Sequence, residues 1–215
     1  MNKIIQDISK EIKDMSGTYT PYVVFTDWCK LFALATANAC EMWHGDVWKE
    51  REDIFCNTAK KYSDKQLLKF IELDYMLMDL YEQEGPYDAL GEIYMAAECG
   101  SKSTGQFFTP FHVSLLTARM QDYNTEGVVK LNEPSCGAGG LILAAAKVIN
   151  ECGGDAQKQL KVVANDLDWN SIYMTYIQLS YNGIDAVCIQ GDTLSDMPFE
   201  ERRALRTPKN KGVLL

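Results

Sequence analysis

Three acids stand at the ends of three short apolar runs. Val128 to Asn132 closes on Glu133, Lys161 to Asn165 on Asp166, and Ala186 to Gly191 on Asp192. After the first run, Pro134-Ser135-Cys136-Gly137-Ala138-Gly139-Gly140 forms a glycine-rich turn, and Leu141 to Ile149 reads as a helix. β-Branched runs alternating with helical segments imply a parallel sheet with crossover helices. Ligands of such sheets sit beyond the carboxyl ends of the strands. The spacing therefore predicts Glu133, Asp166 and Asp192 along one rim. A single acid there could simply end a turn, but three in register beside a glycine turn are better explained by one ligand.

The turn also says what that ligand is not. Gly-Ala-Gly-Gly differs from the dinucleotide fingerprint G-x-G-x-x-G, and no Lys-Ser/Thr pair follows it as in a phosphate loop. Glu133, four residues ahead of the first glycine, would repel a pyrophosphate. It suits a cationic, hydroxyl-rich molecule, and S-adenosylmethionine carries a sulfonium, an ammonium and a ribose. On this reading Asp166, with Leu167 beside it, takes the ribose hydroxyls, as the acid after a second strand does in dinucleotide folds. Asp192 accepts from the adenine amino group. Glu133 and the backbone from Cys136 to Gly140 hold the methionine end, helped by the free N–H groups of the helix start.

The elements ahead of this unit are helical. Ile4, Ile5, Ile8, Ile12 and Met15 recur at helical spacing. Pro21 opens a second helix to about Met42, with Trp28, Leu31, Phe32 and Ala35 as its inner stripe. Val47 to Tyr62 makes a third. Ser63-Asp64-Lys65-Gln66 is a capping box for a fourth, with a stripe of Leu67, Leu68, Ile71, Tyr75, Met78 and Leu80 placed in the core or an interface. Gly85-Pro86 is the expected hinge, so residues 1–85 form a small α-helical domain and 86–215 the α/β domain. Pro86 opens a helix to about Glu98. Thr109 caps, and Pro110 opens, a helix carrying Val113, Leu115, Leu116 and Met120. Phe107 and Phe108, just before it, could pack internally or wall a ligand. Pro198 is expected to open a last helix, whose basic residues lie on a solvated face.

Composition narrows the function classes. A net charge of −9 argues against a free-standing DNA binder, because phosphate contacts come from Lys and Arg. The seven cysteines show neither a C-x-x-C pair nor metal-ligand spacing, and read as reduced and mostly buried, with no metal expected. Charges throughout Met1–Lys13 are unlike a signal peptide. The most apolar stretch, Val23–Cys40, holds Asp27 and Lys30 and falls short of a membrane span. A soluble, cytoplasmic protein is expected.

Four motifs in order, Gly105-Gln106-Phe107-Phe108-Thr109-Pro110, Glu133 to Gly140, Ala164-Asn165-Asp166 and Gly191-Asp192-Thr193-Leu194, resemble the cofactor motifs of the N6-adenine DNA methyltransferases of type I restriction-modification systems, their modification subunits. The resemblance covers most of the chain, and the set is far more specific than any one motif. It implies a Rossmann-like S-adenosylmethionine-dependent methyltransferase fold and S-adenosylmethionine as cofactor. It implies DNA adenine as methyl acceptor and a separate specificity subunit. It also adds Gly105, Gln106, Phe107, Phe108, Thr109 and Thr193 to the cofactor residues. That family carries Asn/Asp-Pro-Pro-Phe/Tyr after its fourth strand, to hold and stack a flipped adenine. The nearest match is Asp196-Met197-Pro198-Phe199, which makes Asp196, Pro198 and Phe199 weak catalytic candidates with no intervening strand before them. A sheet incomplete at the C-terminus is expected, whether the chain is a short form or a partner completes it. Two alternatives stay open: a catalytically inactive S-adenosylmethionine-binding regulator or assembly partner, and a methyltransferase with a small-molecule acceptor.

Overall fold

The structure is a computed structural model that describes residues 2–97, 99, 108–195 and 203–210. Four helices come first: α1 (Lys3–Asp14), α2 (Pro21–Ala39), α3 (Asp46–Ala59) and α4 (Asp64–Glu84). Ile5, Ile8 and Ile12 of α1 are fully buried, as their spacing requires. Pro21 sits in the first turn of α2 below the Thr20 cap, whose hydroxyl accepts from Val23 N–H. The Ser63/Gln66 capping box opens α4, and Gly85 closes it at φ 68°.

The inner faces differ in part from the expected stripes. In α2 the large buried side chains include Val24, Phe25, Trp28, Cys29, Leu31 and Leu34, while Ala35 is exposed and Phe32 half-buried. In α4 the core takes Phe70, Leu73, Leu77 and Leu80, whereas Leu68 (62 %) and Tyr75 (64 %) are exposed, as are Ile71 and Met78. That helix carries two apolar stripes, and spacing alone does not say which one meets the core.

Next come α5 (Ala89–Ala96) and α6 (Phe111–Arg119). Helix α5 starts three residues later than Pro86 suggests, because the Asp88 side chain caps it by accepting from Gly91 N–H at 3.0 Å. Helix α6 has Pro110 at its N-cap and no side-chain cap, so Thr109 does not cap it. Its buried residues are Phe111, Ser114 and Ala118, while Val113, Leu116 and Met120 are exposed.

The α/β part follows in the predicted rhythm: β1 (Val129–Glu133), α7 (Gly140–Glu151), a one-turn α8 (Ala156–Gln159), β2 (Leu160–Asp166), α9 (Trp169–Tyr181) and β3 (Asp185–Gln190). Strands β1, β2 and β3 are parallel neighbours in that order, with Glu133 opposite Ala164 and Asp166 opposite Gln190. Both crossovers step the same way, so right-handed connections place α7 and α9 on one face. Strand β3 ends at Gln190, which leaves Asp192 two residues beyond it in a turn.

Arg203–Arg206, expected within a solvated helix, instead forms β4, antiparallel to β3 with Leu205 opposite Cys188. Burial of Leu205 holds it there, and the Thr207 hydroxyl donates to Ile184 O and accepts from Ala186 N–H. A strand of four residues, Arg-Ala-Leu-Arg, is too short to show its period.

One apolar cluster runs through both parts of the chain, from Ile5 and Trp28 to Ile142, Val162, Tyr176 and Cys188. Of the seven cysteines, all free, Cys29, Cys99, Cys136 and Cys188 are buried and Cys40, Cys56 and Cys152 exposed. Among the described residues no helix is long and apolar enough to cross a membrane, and no group of His, Cys, Asp and Glu could hold a metal ion.

Polar contacts also tie the helices to α9. The Tyr181 hydroxyl lies 2.7 and 2.8 Å from the two oxygens of Asp74 on α4. Burial pushes the Asp74 carboxyl from 3.8 up to about 6, against the hydrogen bond from Tyr181, which lowers it. The folded chain then binds more protons than the unfolded one between about pH 4 and 6. This contribution to stability is present at low pH and lost as pH rises through that window. Asp74→Asn should remove this share of the slope and leave the protein about 1–3 kcal/mol more stable at pH 7, measured by urea unfolding at several pH values. Asp88 titrates in the same window, so some slope should remain.

Candidate functional site

The glycine turn is bonded to its neighbours at every step. Ser135 N–H donates to the Glu133 carboxylate at 3.2 Å. Cys136 N–H donates to Asn165 O at 2.8 Å, fixing the turn to the end of β2, and Gly139 N–H closes back on Cys136 O. Gly139 is then the N-cap of α7. The Asp166 carboxylate accepts from Gly137 N–H at 2.9 Å through Oδ2 and from Asp168 N–H at 3.0 Å through Oδ1. A carboxylate offers about four acceptor sites, so Asp166 keeps capacity for hydroxyl donors after positioning the turn.

The end of β3 is joined to the same rim. Gly191 N–H donates to Asp166 O, and Asn165 Nδ2 donates to Gly191 O at 2.6 Å. The Thr193 hydroxyl donates to Pro134 O at 2.6 Å, which links the fourth motif to the glycine turn. Asp192 is exposed, and its side chain accepts from Leu194 N–H. Leu167 is exposed as well, and its carbonyl accepts from Gln190 Nε2. Glu133, the turn, Asp166 and Thr193 are thus connected through hydrogen bonds. Asp192 stands at the same edge without a bond to the others.

Phe108 closes the other side of the turn. Its ring packs edge-on against Tyr94 at 5.0 Å, and a Cβ on Gly137 would stand 3.1 Å from it. Phe108 and Thr109 line a recess of about 110 Å³ together with Ser135 to Ala138, Gly140 and Leu141. Cys136 lines it too, but burial pushes its thiol up to about 12, so it offers no thiolate at neutral pH. Gly105, Gln106 and Phe107, and the catalytic candidates Asp196, Pro198 and Phe199, lie outside the described residues.

Four polar residues of the site were not anticipated from the sequence. Thr175 Oγ1 donates to Gly137 O at 2.8 Å, so the turn residue is held on both its backbone groups. Gln178 is wholly buried, with every bonding position of its amide used. Its Oε1 accepts from Tyr81 OH at 2.5 Å and Leu90 N–H at 3.1 Å, and its Nε2 donates to Asp88 Oδ1 at 2.9 Å and Ala138 O at 2.6 Å. Asp88 and Ser114 line the recess from α5 and α6. One signal for part of this was present: Ser171, Thr175 and Gln178 recur at helical spacing on the buried face of α9. A polar stripe inside an apolar helix marks something it must bond to.

The model of the N-6 DNA methylase family matches residues 86–207, more than half of the chain. A type I restriction enzyme MpnII methylase subunit of Mycoplasma pneumoniae is 30 % identical over 142 residues, covering 64 % of this chain and 26 % of that protein. The chain therefore spans about a quarter of the length of the curated relative it matches. A solved structure from Listeria monocytogenes, described as a class I S-adenosylmethionine-dependent methyltransferase, aligns over 92 % of this chain and 56 % of its own, with a TM-score of 0.45 and 13 % identity.

Proposed function

The chain belongs to the N-6 DNA methylase family, and from that premise we propose that it forms the S-adenosylmethionine-binding part of a DNA adenine-N6 methyltransferase of a type I restriction-modification system. The observation that carries this reading is the bond from Gly137 N–H to Asp166 Oδ2, which joins the second-strand acid to the glycine turn at the carboxyl edge of the sheet. Bound there, the cofactor supplies an electrophilic methyl group. Asp166 accepts from the ribose hydroxyls with the apolar Leu167 beside it, and Asp192 accepts from the adenine amino group. Glu133 and the backbone from Cys136 to Gly140 hold the methionine end, and Phe108 and Thr109 wall it. The chain's own fit to the cofactor is the Gly137 turn, packed against Phe108, and the carboxylates of Glu133 and Asp166 hydrogen-bonded to its backbone.

The division into residues 1–85 and 86–215 belongs to the same proposal. It rests on the family match, which begins at residue 86, although the two parts share one apolar core. A net charge of −9 makes DNA contact by this chain alone weak. A specificity-type partner supplies sequence recognition and much of the positive surface, and the assembly works in the cytoplasm.

Labelled methyl transfer from S-adenosylmethionine to DNA, with and without the specificity-type partner, tests the function. Transfer to adenine in the complex is the expected result; no transfer with any partner would leave only cofactor binding. Asp166→Ala should weaken S-adenosylmethionine binding by about 1–3 kcal/mol, through the lost ribose acceptor and the freed Gly137 N–H. Unchanged affinity by calorimetry would remove Asp166 from the site.

A further inference from the structure

Helix α4 buries one apolar stripe and leaves a second one open. Leu68, Ile71, Tyr75 and Met78 are all exposed, and they follow one another at steps of three, four and three residues. Such steps keep the four side chains in one row along the helix, about 15 Å long from Leu68 to Met78. A single exposed leucine or tyrosine is ordinary. A row of four at the spacing of a coiled-coil seam is the pattern of a surface that meets another helix. The row is also self-complementary, because its steps read the same from either end. A two-fold axis at the height of Leu73 lays it on itself, with Leu68 opposite Met78 of a second copy and Ile71 opposite its Tyr75.

Charge selects the same arrangement. Lys65, Glu72 and Asp79 stand at seven-residue steps along one flank of the row, and all three are exposed. Under the two-fold this flank faces the same flank of the second copy. Each Lys65 then meets an Asp79, and the two Glu72 side chains meet at the axis. Lys69, 2.7 Å from Glu72, offsets that central repulsion. Lys65 and Asp79 form no ion pair with another described residue, so both can pair across the contact. A parallel pair would instead set Lys65 on Lys65 and Asp79 on Asp79. The antiparallel register also brings Leu68 of the second copy to a hollow of about 540 Å³ beside Met78, lined by Glu82, Pro86, Gln157 and Tyr181. We propose that α4 is the contact face of a homodimer, in which two copies pair antiparallel through Leu68, Ile71, Tyr75 and Met78 and close each end with a Lys65–Asp79 ion pair. None of these residues enters the S-adenosylmethionine reading, so the two proposals stand or fall separately.

Sedimentation velocity on the full chain at low salt tests this. Four side chains on each copy make a patch smaller than a standard interface, so the dimer should be weak and should form between about 1 and about 200 µM. Tyr75→Glu should stay monomeric over that whole range, with an unchanged circular dichroism spectrum because the position is exposed. Lys65→Asp and Asp79→Lys should each weaken self-association at least fivefold, since either change turns both ion pairs into repulsions. A mixture of these two variants should associate as tightly as wild type, because every facing pair at the two ends is again opposite in sign. A seam held by apolar contact alone would not respond to the mixing. A wild type that stays monomeric at every concentration, a dimer that survives Tyr75→Glu, or a mixture no tighter than its components would overturn the proposal.

Discussion

A Gly137→Val chain should show no measurable binding of S-adenosylmethionine by calorimetry, while circular dichroism still reports the folded helices. Gly137 sits at φ +53°, where an L-residue costs about 1–2 kcal/mol and a β-branched one more. The turn cannot relax out of that conformation cheaply. The Gly137 N–H is held by Asp166 and its carbonyl by Thr175, so rotating the residue breaks two bonds that define the pocket. The new Cβ would also lie 3.1 and 3.3 Å from two carbons of the Phe108 ring, and the γ-methyls would press further into it. Overpacking of this kind costs about 1–3 kcal/mol in addition. The variant turn relieves this strain by leaving the wild-type geometry, and restoring that geometry on binding at a cost of about 3 kcal/mol lowers affinity more than a hundredfold. Retained affinity would take the glycine turn out of the site.

The same residues show what was legible beforehand. Strand β1, the turn and α7 form one local unit, and strand ends with acids can be read from a window of about ten residues. Asp166 is therefore placed as its spacing predicts, at the end of β2 beside the turn. Asp192 is less well fixed, because β3 stops at Gln190 and Gly191 begins a turn in which Asp192 accepts from Leu194 N–H. What was not legible depends on contacts across the chain. Asp88 reads locally as a helix cap and Gln178 as a polar residue on a helix, yet the two are hydrogen-bonded across 90 residues. In α4 the exposed Leu68, Ile71, Tyr75 and Met78 and the buried Phe70, Leu73, Leu77 and Leu80 both recur at helical spacing. Only the packing of α1 and α2 onto the helix chooses between them. The glycines, too, are required less by the ligand than by the protein. Gly137 makes room for Phe108 and Gly140 for Asp88, partners on elements that no local pattern connects to the turn.

Gln178→Met should be among the most destabilising single changes in this chain, by about 3–6 kcal/mol in urea unfolding. Methionine keeps the length of the side chain and removes all four hydrogen bonds. Asp88 Oδ1 retains Gly91 N–H, but the Tyr81 hydroxyl, Leu90 N–H and Ala138 carbonyl are left buried without this partner. Each such group costs about 1–3 kcal/mol, and partial relaxation keeps the total below the simple sum. Loss of that size is a large share of the stability of an ordinary domain. Gln178→Glu separates the two ends of the amide. Its oxygens can still accept from Tyr81 and Leu90, but an ionised carboxylate cannot donate to Ala138 O and stands against the Asp88 carboxylate. Both carboxyls then favour the protonated form in the folded state, so the chain binds more protons folded than unfolded. The stability of Gln178→Glu should recover as pH falls, because a neutral acid donates again; losing the Gln178 hydrogen bond and gaining a carboxylate beside it both push Asp88 above its wild-type value of about 6. Gln178→Met keeps only the slope that Asp74 and Asp88 themselves supply and has no added carboxyl to protonate, so it should recover less. If the two variants share one pH profile, the donors of Gln178 are not what holds Asp88 and the glycine turn in place.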